Sequence, residues 1–349
     1  VLIMTTLLEA RGVTKVFSSG ATFRRKARVT VALDGTNFLI RGDPPSIISI
    51  AGESGSGKTT LSRLLMGLIL PTAGHIYYQG RDLREMDRQE WRAFREKVQA
   101  IFQDPFEVYN PFYKVDHVLN MPIRSFRPEM NRAQARDLIE HTLESVGLRP
   151  EEMLGRYPHQ LSGGQRQRIM VARALLLNPS VIVADEPVSM VDASLRATIL
   201  ESLQKAHTER GISLMYITHD LTTAYQVSDV ILMLYQGTTV EVGDVELVIK
   251  QPLHPYTKLL VSSIPLADPK LRWGGGEAME TTTERAAGRL KGCKFADRCP
   301  SASPICQEAM PPLFATESGR GVACYLYRDA PVLDEEGVLA LYASTRTGT

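Results

Sequence analysis

Five short, almost unbroken apolar runs punctuate the chain. They are Ile47-Ile48-Ser49-Ile50-Ala51, Val98-Gln99-Ala100-Ile101-Phe102, and the runs at residues 181 to 184, 213 to 217 and 230 to 234. Runs of this length without strict polar alternation read as strands buried on both faces. Between them lie a polar amphipathic helix at residues 89 to 97, a mainly helical block at residues 131 to 177, a helix at residues 195 to 204 and a short helix near Leu221. This order predicts an α/β fold with a mostly parallel sheet covered on both faces, and a helical lobe inserted between its strands. Residues 7 to 17 and 29 to 40 alternate as edge strands do, and residues 75 to 78 suggest another, which together predict an antiparallel β subdomain. The basic segment Phe23-Arg24-Arg25-Lys26-Ala27-Arg28 sits between the first two and reads as a solvated hairpin tip.

The turn that follows the first apolar run carries the chemistry. Gly52-Glu53-Ser54-Gly55-Ser56-Gly57-Lys58-Thr59 is a complete G-x-x-x-x-G-K-[ST] string between a strand and a helix with Leu61, Leu64 and Leu65 on one face. Glycines let successive N–H groups converge on phosphate oxygens, Lys58 supplies a point charge, and Thr59 offers a hydroxyl to Mg²⁺. The positive end of the helix dipole points at the same anion. Nucleotide contacts are therefore expected from Gly52, Ser54, Gly55, Ser56, Gly57, Lys58, Thr59 and Thr60.

A second motif, Val181-Ile182-Val183-Ala184-Asp185-Glu186, is a central strand that delivers two carboxylates to the sheet edge. Asp185 is suited to hold Mg²⁺ and Glu186 to orient the attacking water of a phosphoryl transfer. Between the two motifs stands Leu161-Ser162-Gly163-Gly164-Gln165 ahead of a helix-forming stretch. Ser162 and the glycines make another anion site at a helix start. The chain thus has two phosphate sites where one nucleotide needs one.

Bulk properties exclude some classes. The 349 residues hold 40 Lys and Arg against 39 Asp and Glu, so no whole-chain field argues for a nucleic acid partner. The longest apolar runs fall short of the ~18 to 20 residues of a spanning helix, and no leader resembling a signal peptide is evident, so the chain is expected to be cytosolic.

With its Leu-Ser-Gly-Gly-Gln string, the chain resembles the ATP-binding subunits of ABC transporters. In that family two subunits pack head to tail, each ATP lying between the phosphate loop of one and the signature of the other. The resemblance implies that Ser162, Gly163, Gly164, Gln165 and Asp192 face the ATP of a partner subunit. It further implies that Gln103 touches Mg²⁺ and links to membrane subunits, that His219 senses the γ-phosphate, and that Phe17 stacks on adenine. Lys58, Glu186 and His219 are all present, which implies a hydrolytically competent half-site. Met190 and Val191 depart from the usual Ser-Ala-Leu-Asp before Asp192 and bear on dimer contacts. The long first hairpin, Gln103-Asp104-Pro105 with Asn110-Pro111, and the block at His254-Pro255-Tyr256 resemble the oligopeptide/dipeptide importer branch. The likeness spans about residues 7 to 328. It implies an ATPase domain over residues 1 to 250, with its helical lobe at about 104 to 177, and an extension over residues 251 to 349. The implied partners are a second, paralogous ATPase, two transmembrane permease subunits and, indirectly, an extracytoplasmic solute-binding protein. The implied location is peripheral, on the cytoplasmic face of the cell membrane. Solutes of the branch include peptides, nickel and oligosaccharides. A soluble ABC ATPase of DNA repair or translation is the rival reading, but neither a heptad stretch nor a second phosphate loop appears.

All four cysteines, Cys293, Cys299, Cys306 and Cys324, follow residue 292. Two disulfides, a structural Zn²⁺ and a four-thiolate iron–sulfur cluster compete as explanations. A cytosolic ATPase disfavours disulfides, the spacings x₅, x₆ and x₁₇ lack the paired knuckles of zinc sites, and four cysteines suit [4Fe–4S] although these spacings are not a standard ferredoxin run either. Similar importer ATPases carry a Cys-x₅-Cys-Pro-x₅-Cys-like C-terminus, and some hold a [4Fe–4S] cluster, which the resemblance extends to these four positions. Residues 265 to 288, with Gly274-Gly275-Gly276, read as a connecting loop.

Overall fold

The computed structural model describes residues 5–19, 28–104, 109–264, 291–317 and 319–343. Residues 23 to 27 of the basic segment and the connector at 265 to 288 lie outside these.

Twelve strands among the described residues form two sheets. In the smaller sheet β1 (Thr5–Ser19), β2 (Arg28–Asp43), β4 (Ala73–Tyr78) and β5 (Arg81–Asp82) are antiparallel, in the order β2-β1-β4-β5. In the larger sheet β3 (Ile47–Ala51), β6 (Val98–Ile101), β7 (Val181–Asp185), β8 (Ser213–Thr218) and β9 (Val230–Tyr235) are parallel where they pair. Antiparallel β10 (Thr238–Asp244), β12 (Arg320–Val322) and β11 (Phe314–Glu317) extend it, giving β11-β12-β10-β9-β3-β8-β7-β6. The five apolar runs are the five parallel strands. β3, β8 and β9 are buried at every position, as expected of strands covered on both faces.

Helix α1 (Lys58–Leu65) packs Leu61, Leu64 and Leu65 into the core that joins the two sheets. Helix α2 (Arg88–Lys97) starts at a capping box in which Asp87 accepts from Gln89 and Glu90 N–H groups. The helical lobe contains α3 (Val115–Phe126), α4 (Arg132–Ser145), α5 (Pro150–Met153) and α6 (Gly163–Leu175). Helix α3 was not apparent in the sequence pattern, because Pro122 inside it breaks the usual helix composition. Ile139, Leu143, Ile169 and Met170 share a core with Ile182 and Leu214 of the large sheet, so the lobe is packed onto the sheet. Helices α7 (Ala193–Arg210) and α8 (Leu221–Val227) complete the crossovers between β7, β8 and β9.

Beyond β10 come α9 (Val245–Lys250), α10 (Pro255–Ser262), α11 (Ile305–Glu308) and α12 (Glu335–Ala340). The C-terminal residues do not form a detached appendage. Strand β12 pairs with β10, and Tyr342 packs edge-on against Phe38 of β2 while donating to Asn37 O at 2.9 Å. Arg320 and Glu241 are both completely buried, 3.8 Å apart. Arg320 also donates to Leu247 O and Gln251 O, and Glu241 accepts from the N–H groups of Leu253 and His254. Burial raises the Glu241 pKa, opposed by those hydrogen bonds and by Arg320. Removing one member strands the other charge in the interior. Arg320→Ala is expected to lower unfolding stability by about 3 kcal/mol in urea titration, and a loss below about 1 kcal/mol would show that the pair is not a structural anchor.

Candidate nucleotide site

Four neighbouring parallel strands, β6-β7-β8-β3, end at one edge of the large sheet, and each delivers a functional segment there. The phosphate loop follows Ala51 directly. Gly52 and Gly57 both have positive φ, at 151° and 109°. A Cβ on Gly52 would lie 2.2 Å from Leu234 O, and one on Gly57 would lie 2.6 Å from Ala32 O. Both positions therefore require glycine for conformation and for space. Ser56 N donates to Glu53 O and Ser56 O accepts from Gly237 N, which closes the loop and ties it to the β9–β10 turn.

Lys58 is buried, and its ammonium donates to Gly52 O at 2.6 Å and Glu53 O at 2.9 Å. Burial lowers its pKa, opposed by the carboxylates of Glu186, Asp185 and Glu53. At the end of β7, burial and the adjacent Glu186 carboxylate raise the Asp185 pKa, and Lys58 opposes them. Thr59 and Ser54 are exposed on the loop's open side, while Ser56 Oγ is buried without a hydrogen-bond partner.

Glu186 is the meeting point of three strand ends. Its backbone continues the β7–β8 ladder through Ile217 O and takes a positive φ of 45°. That conformation is costly for a residue other than glycine and marks a constrained position. One carboxylate oxygen accepts from Gln103 Nε2 at 2.8 Å, and the other lies 3.1 Å from His219 Nδ1. Glu186, Gln103 and His219, singled out separately in the sequence, form one constellation. A carboxylate held between an amide donor and an imidazole is arranged to accept a proton from, or orient, a water placed over it.

Ser162 caps α6 through a reciprocal box: Gln165 N donates to Ser162 Oγ at 3.2 Å and Ser162 N to Gln165 Oε1 at 2.9 Å. A Cβ on Gly164 would lie 2.5 Å from Leu195 Cδ1, so this glycine permits close packing of α6 on α7. Gly163 is open on that side, with Met190 O at 3.6 Å. Asp192, exposed, begins α7 and accepts from Leu195 and Arg196 N–H groups through its carbonyl. These residues belong to the lobe and its junction with α7, apart from the Gln103–Glu186–His219 group. Phe17 lies on β1, 43% exposed, with Lys15 Nζ 5.2 Å from its ring centre.

Residues 37–189 match the family described as ABC transporter, and residues 240–306 match the oligopeptide/dipeptide transporter C-terminal region. A putative oligopeptide transport ATP-binding protein of Bacillus subtilis, YkfD, is 42% identical over 334 residues, covering 93% of this chain and 96% of its own. The chain belongs to the ABC transporter ATP-binding family. Oligopeptide transport ATP-binding protein OppF of Escherichia coli is 39% identical, covering 83% of this chain and 86% of its own length. Among solved structures, the dimeric ABC transporter cassette MJ0796 superposes with a TM-score of 0.61 at 29% identity, covering 68% of this chain and 99% of the cassette. As an ABC ATPase the chain binds and hydrolyses ATP.

Two contacts of the site had no counterpart in the sequence reading. Glu53 N donates to Tyr256 Oη at 2.7 Å, and Glu53 receives a two-pronged contact from Arg298. The only sequence sign of the second is a pair of basic residues, Lys294 and Arg298, inside the first cysteine interval.

The four cysteines are free thiols that line one cavity of about 330 Å³ with His254, Phe295 and Tyr325. Cys293 N donates to Cys306 O at 2.7 Å, which holds two of the segments together. Burial raises the pKa of Cys293, Cys299 and Cys324, the last to about 11. Among the described residues no group of three or more His, Cys, Asp or Glu is arranged to hold a metal ion.

Within the phosphate loop, space separates the glycines. A Cβ on Gly55 would meet nothing within 4 Å. Gly57→Ala is expected to weaken ATP binding by about tenfold or more, and Gly55→Ala, which carries only local φ strain, by less. Equilibrium nucleotide binding would check this order, and equal losses would contradict it.

Proposed function

We propose that this chain is the ATPase subunit of an importer of dipeptides or oligopeptides. The single observation that carries the catalytic part is the Glu186 carboxylate held between Gln103 and His219 at the sheet edge. In this reading ATP is bound by Gly52, Ser54, Gly55, Ser56, Gly57, Lys58, Thr59 and Thr60, with Phe17 against adenine. The unpartnered Ser56 Oγ and the glycine cradle fit a phosphate ligand. Mg²⁺ would be held by Thr59, Gln103 and Asp185, and would supply charge neutralisation between phosphate oxygens. Glu186 orients the attacking water, His219 senses the γ-phosphate, and Lys58 stabilises charge on the phosphates.

A second ATPase subunit, expected to be a paralogue, offers its own equivalent of Ser162, Gly163, Gly164, Gln165 and Asp192 to this nucleotide, and receives these in return. ATP closes the pair and hydrolysis reopens it, a two-state cycle biased by the γ-phosphate. Coupling to two permease subunits runs through the Gln103 segment into the lobe. Phe112 and Tyr113, at the lobe's entrance, are 86% and 51% exposed, which suits a surface that a membrane partner covers. An extracytoplasmic binding protein would deliver solute, and the subunit itself would work at the cytoplasmic face. No helix among the described residues is long and apolar enough to cross a membrane. We take residues 1 to 250 as the ATPase unit, with its lobe at about 104 to 177, and 251 to 349 as the extension.

Glu186→Gln keeps the hydrogen-bonding shape and removes the carboxylate. ATP turnover is expected to fall at least about 100-fold, as for loss of a general base, while ATP-dependent dimers persist. Retained turnover would overturn the role given to Glu186.

We further infer that Cys293, Cys299, Cys306 and Cys324 ligate a [4Fe–4S] cluster. Support comes from the convergence of four thiols on one void. The spacings x₅, x₆ and x₁₇ lack the paired knuckles usual for a lone Zn²⁺. Four thiolates spread around a cavity suit a cluster that brings its own volume. When bound, the cluster would cross-link the loops that carry its ligands. Anaerobically purified protein is expected to hold about four iron and four sulfide per chain, lost in Cys306→Ser. Stoichiometric zinc without sulfide would contradict the cluster.

A further inference from the structure

The phosphate loop carries a charge of the wrong sign. Glu53, its second residue, places a carboxylate on a loop whose work is to bind a polyanion. Its side chain is 38% exposed and close enough to Lys58 to act on the lysine's charge. Arg298 answers it with two parallel bonds, Nη1 to Oε2 and Nη2 to Oε1, both 2.9 Å. Two-pronged guanidinium–carboxylate pairs fix direction as well as charge.

Arg298 belongs to the segment that begins at Cys293 and ends at Cys299. Lys294, Phe295 and Arg298 of that segment all grip the surroundings of the phosphate loop. Lys294 donates to Gln236 O at 3.0 Å and lies 3.1 Å from Asp34, and Gln236 precedes the Gly237 whose N–H bonds Ser56 O. Phe295 is buried against Tyr235 and Tyr256, and Tyr256 accepts from Glu53 N. Arg298 itself lies over the Tyr235 and Phe295 rings at 5.8 and 5.5 Å. Two of the four cysteines that line the cavity are thus the ends of a brace whose middle holds the phosphate loop.

We infer that Arg298 is a positioning residue for nucleotide binding, neutralising Glu53 and turning it away from the phosphates, and that it couples the cysteine-lined segment to the ATP site. The inference rests on Gly52–Thr59 being the ATP site. Without Arg298 the Glu53 carboxylate is released beside the triphosphate, and ATP affinity falls. Removing the Glu53 charge as well removes the repulsion. Coupling is reciprocal, so bound nucleotide must restrain the segment.

The experiment measures ATP dissociation constants of the full chain for the wild type, Arg298→Ala, Arg298→Lys, Glu53→Gln and the Glu53→Gln/Arg298→Ala double variant. Circular dichroism verifies that each is folded, and Lys58→Ala serves as a non-binding control. Arg298→Ala is expected to weaken ATP about three- to tenfold, with kcat at saturating ATP within about twofold of wild type. Arg298→Lys should retain part of the affinity, and the double variant should return to within about twofold of wild type. In parallel, ATP should slow amide hydrogen exchange across residues 294 to 298 in the wild type, and this dependence should vanish in Arg298→Ala. Three results would overturn the inference: wild-type affinity in Arg298→Ala, a double variant as weak as Arg298→Ala, or amide exchange of residues 294 to 298 in the wild type indifferent to ATP. A wild type that binds no better than Lys58→Ala would instead refute the ATP site itself.

Discussion

The shared direction of four strands governs the rest of the molecule. In the register of β6, β7, β8 and β3, Ile101 pairs with Ala184, Ala184 with Tyr216, and Ala51 with Thr218. Gln103, Glu186, His219 and Gly52 each follow their strand within one or two residues, so parallel pairing alone brings them to one edge. Antiparallel insertion of any one strand would send its functional residue to the opposite edge. The apolar runs are therefore more than filling, because burial on both faces is what places β3 and β8 in the interior of the sheet. Each also ends where polar chemistry must begin, and the ligand lies in the crevice beyond the carboxyl ends of the strands.

Much of this was legible in the amino-acid order. Buried parallel strands announce themselves as continuous apolar runs, and the phosphate loop has a string specific enough to stand by itself. Glu186 and His219 could be named individually, but their 3.1 Å approach depends on strands β7 and β8 being neighbours, which periodicity does not encode. Helix α3 was hidden by Pro122, and β11 and β12, four and three residues long, by their shortness. The antiparallel part of the large sheet depends on long-range pairing between residues 241 and 322, which no local pattern reveals.

The C-terminal extension enters the account through its attachments. It adds two strands to the sheet, buries Arg320 against Glu241, and returns to cover β2 with Tyr342. The His254-Pro255-Tyr256 block begins α10, where His254 caps the helix and Tyr256 reaches the phosphate loop. The extension is thus joined to the phosphate loop, through Tyr256 and Arg298. Its thiols lie in a cavity whose wall includes Phe295, a residue that shares a core with Ala51 at the mouth of the loop.

The central claim, that this ATPase works for membrane subunits, is tested most directly by what the intact chain holds in its native membrane. Tagged protein extracted anaerobically in detergent would be purified and its companions identified by mass spectrometry. The account predicts two multi-span membrane proteins together with a second ATPase of the same family. Recovery of the chain alone, or with nucleic-acid-processing proteins, would contradict it and leave only the ATPase.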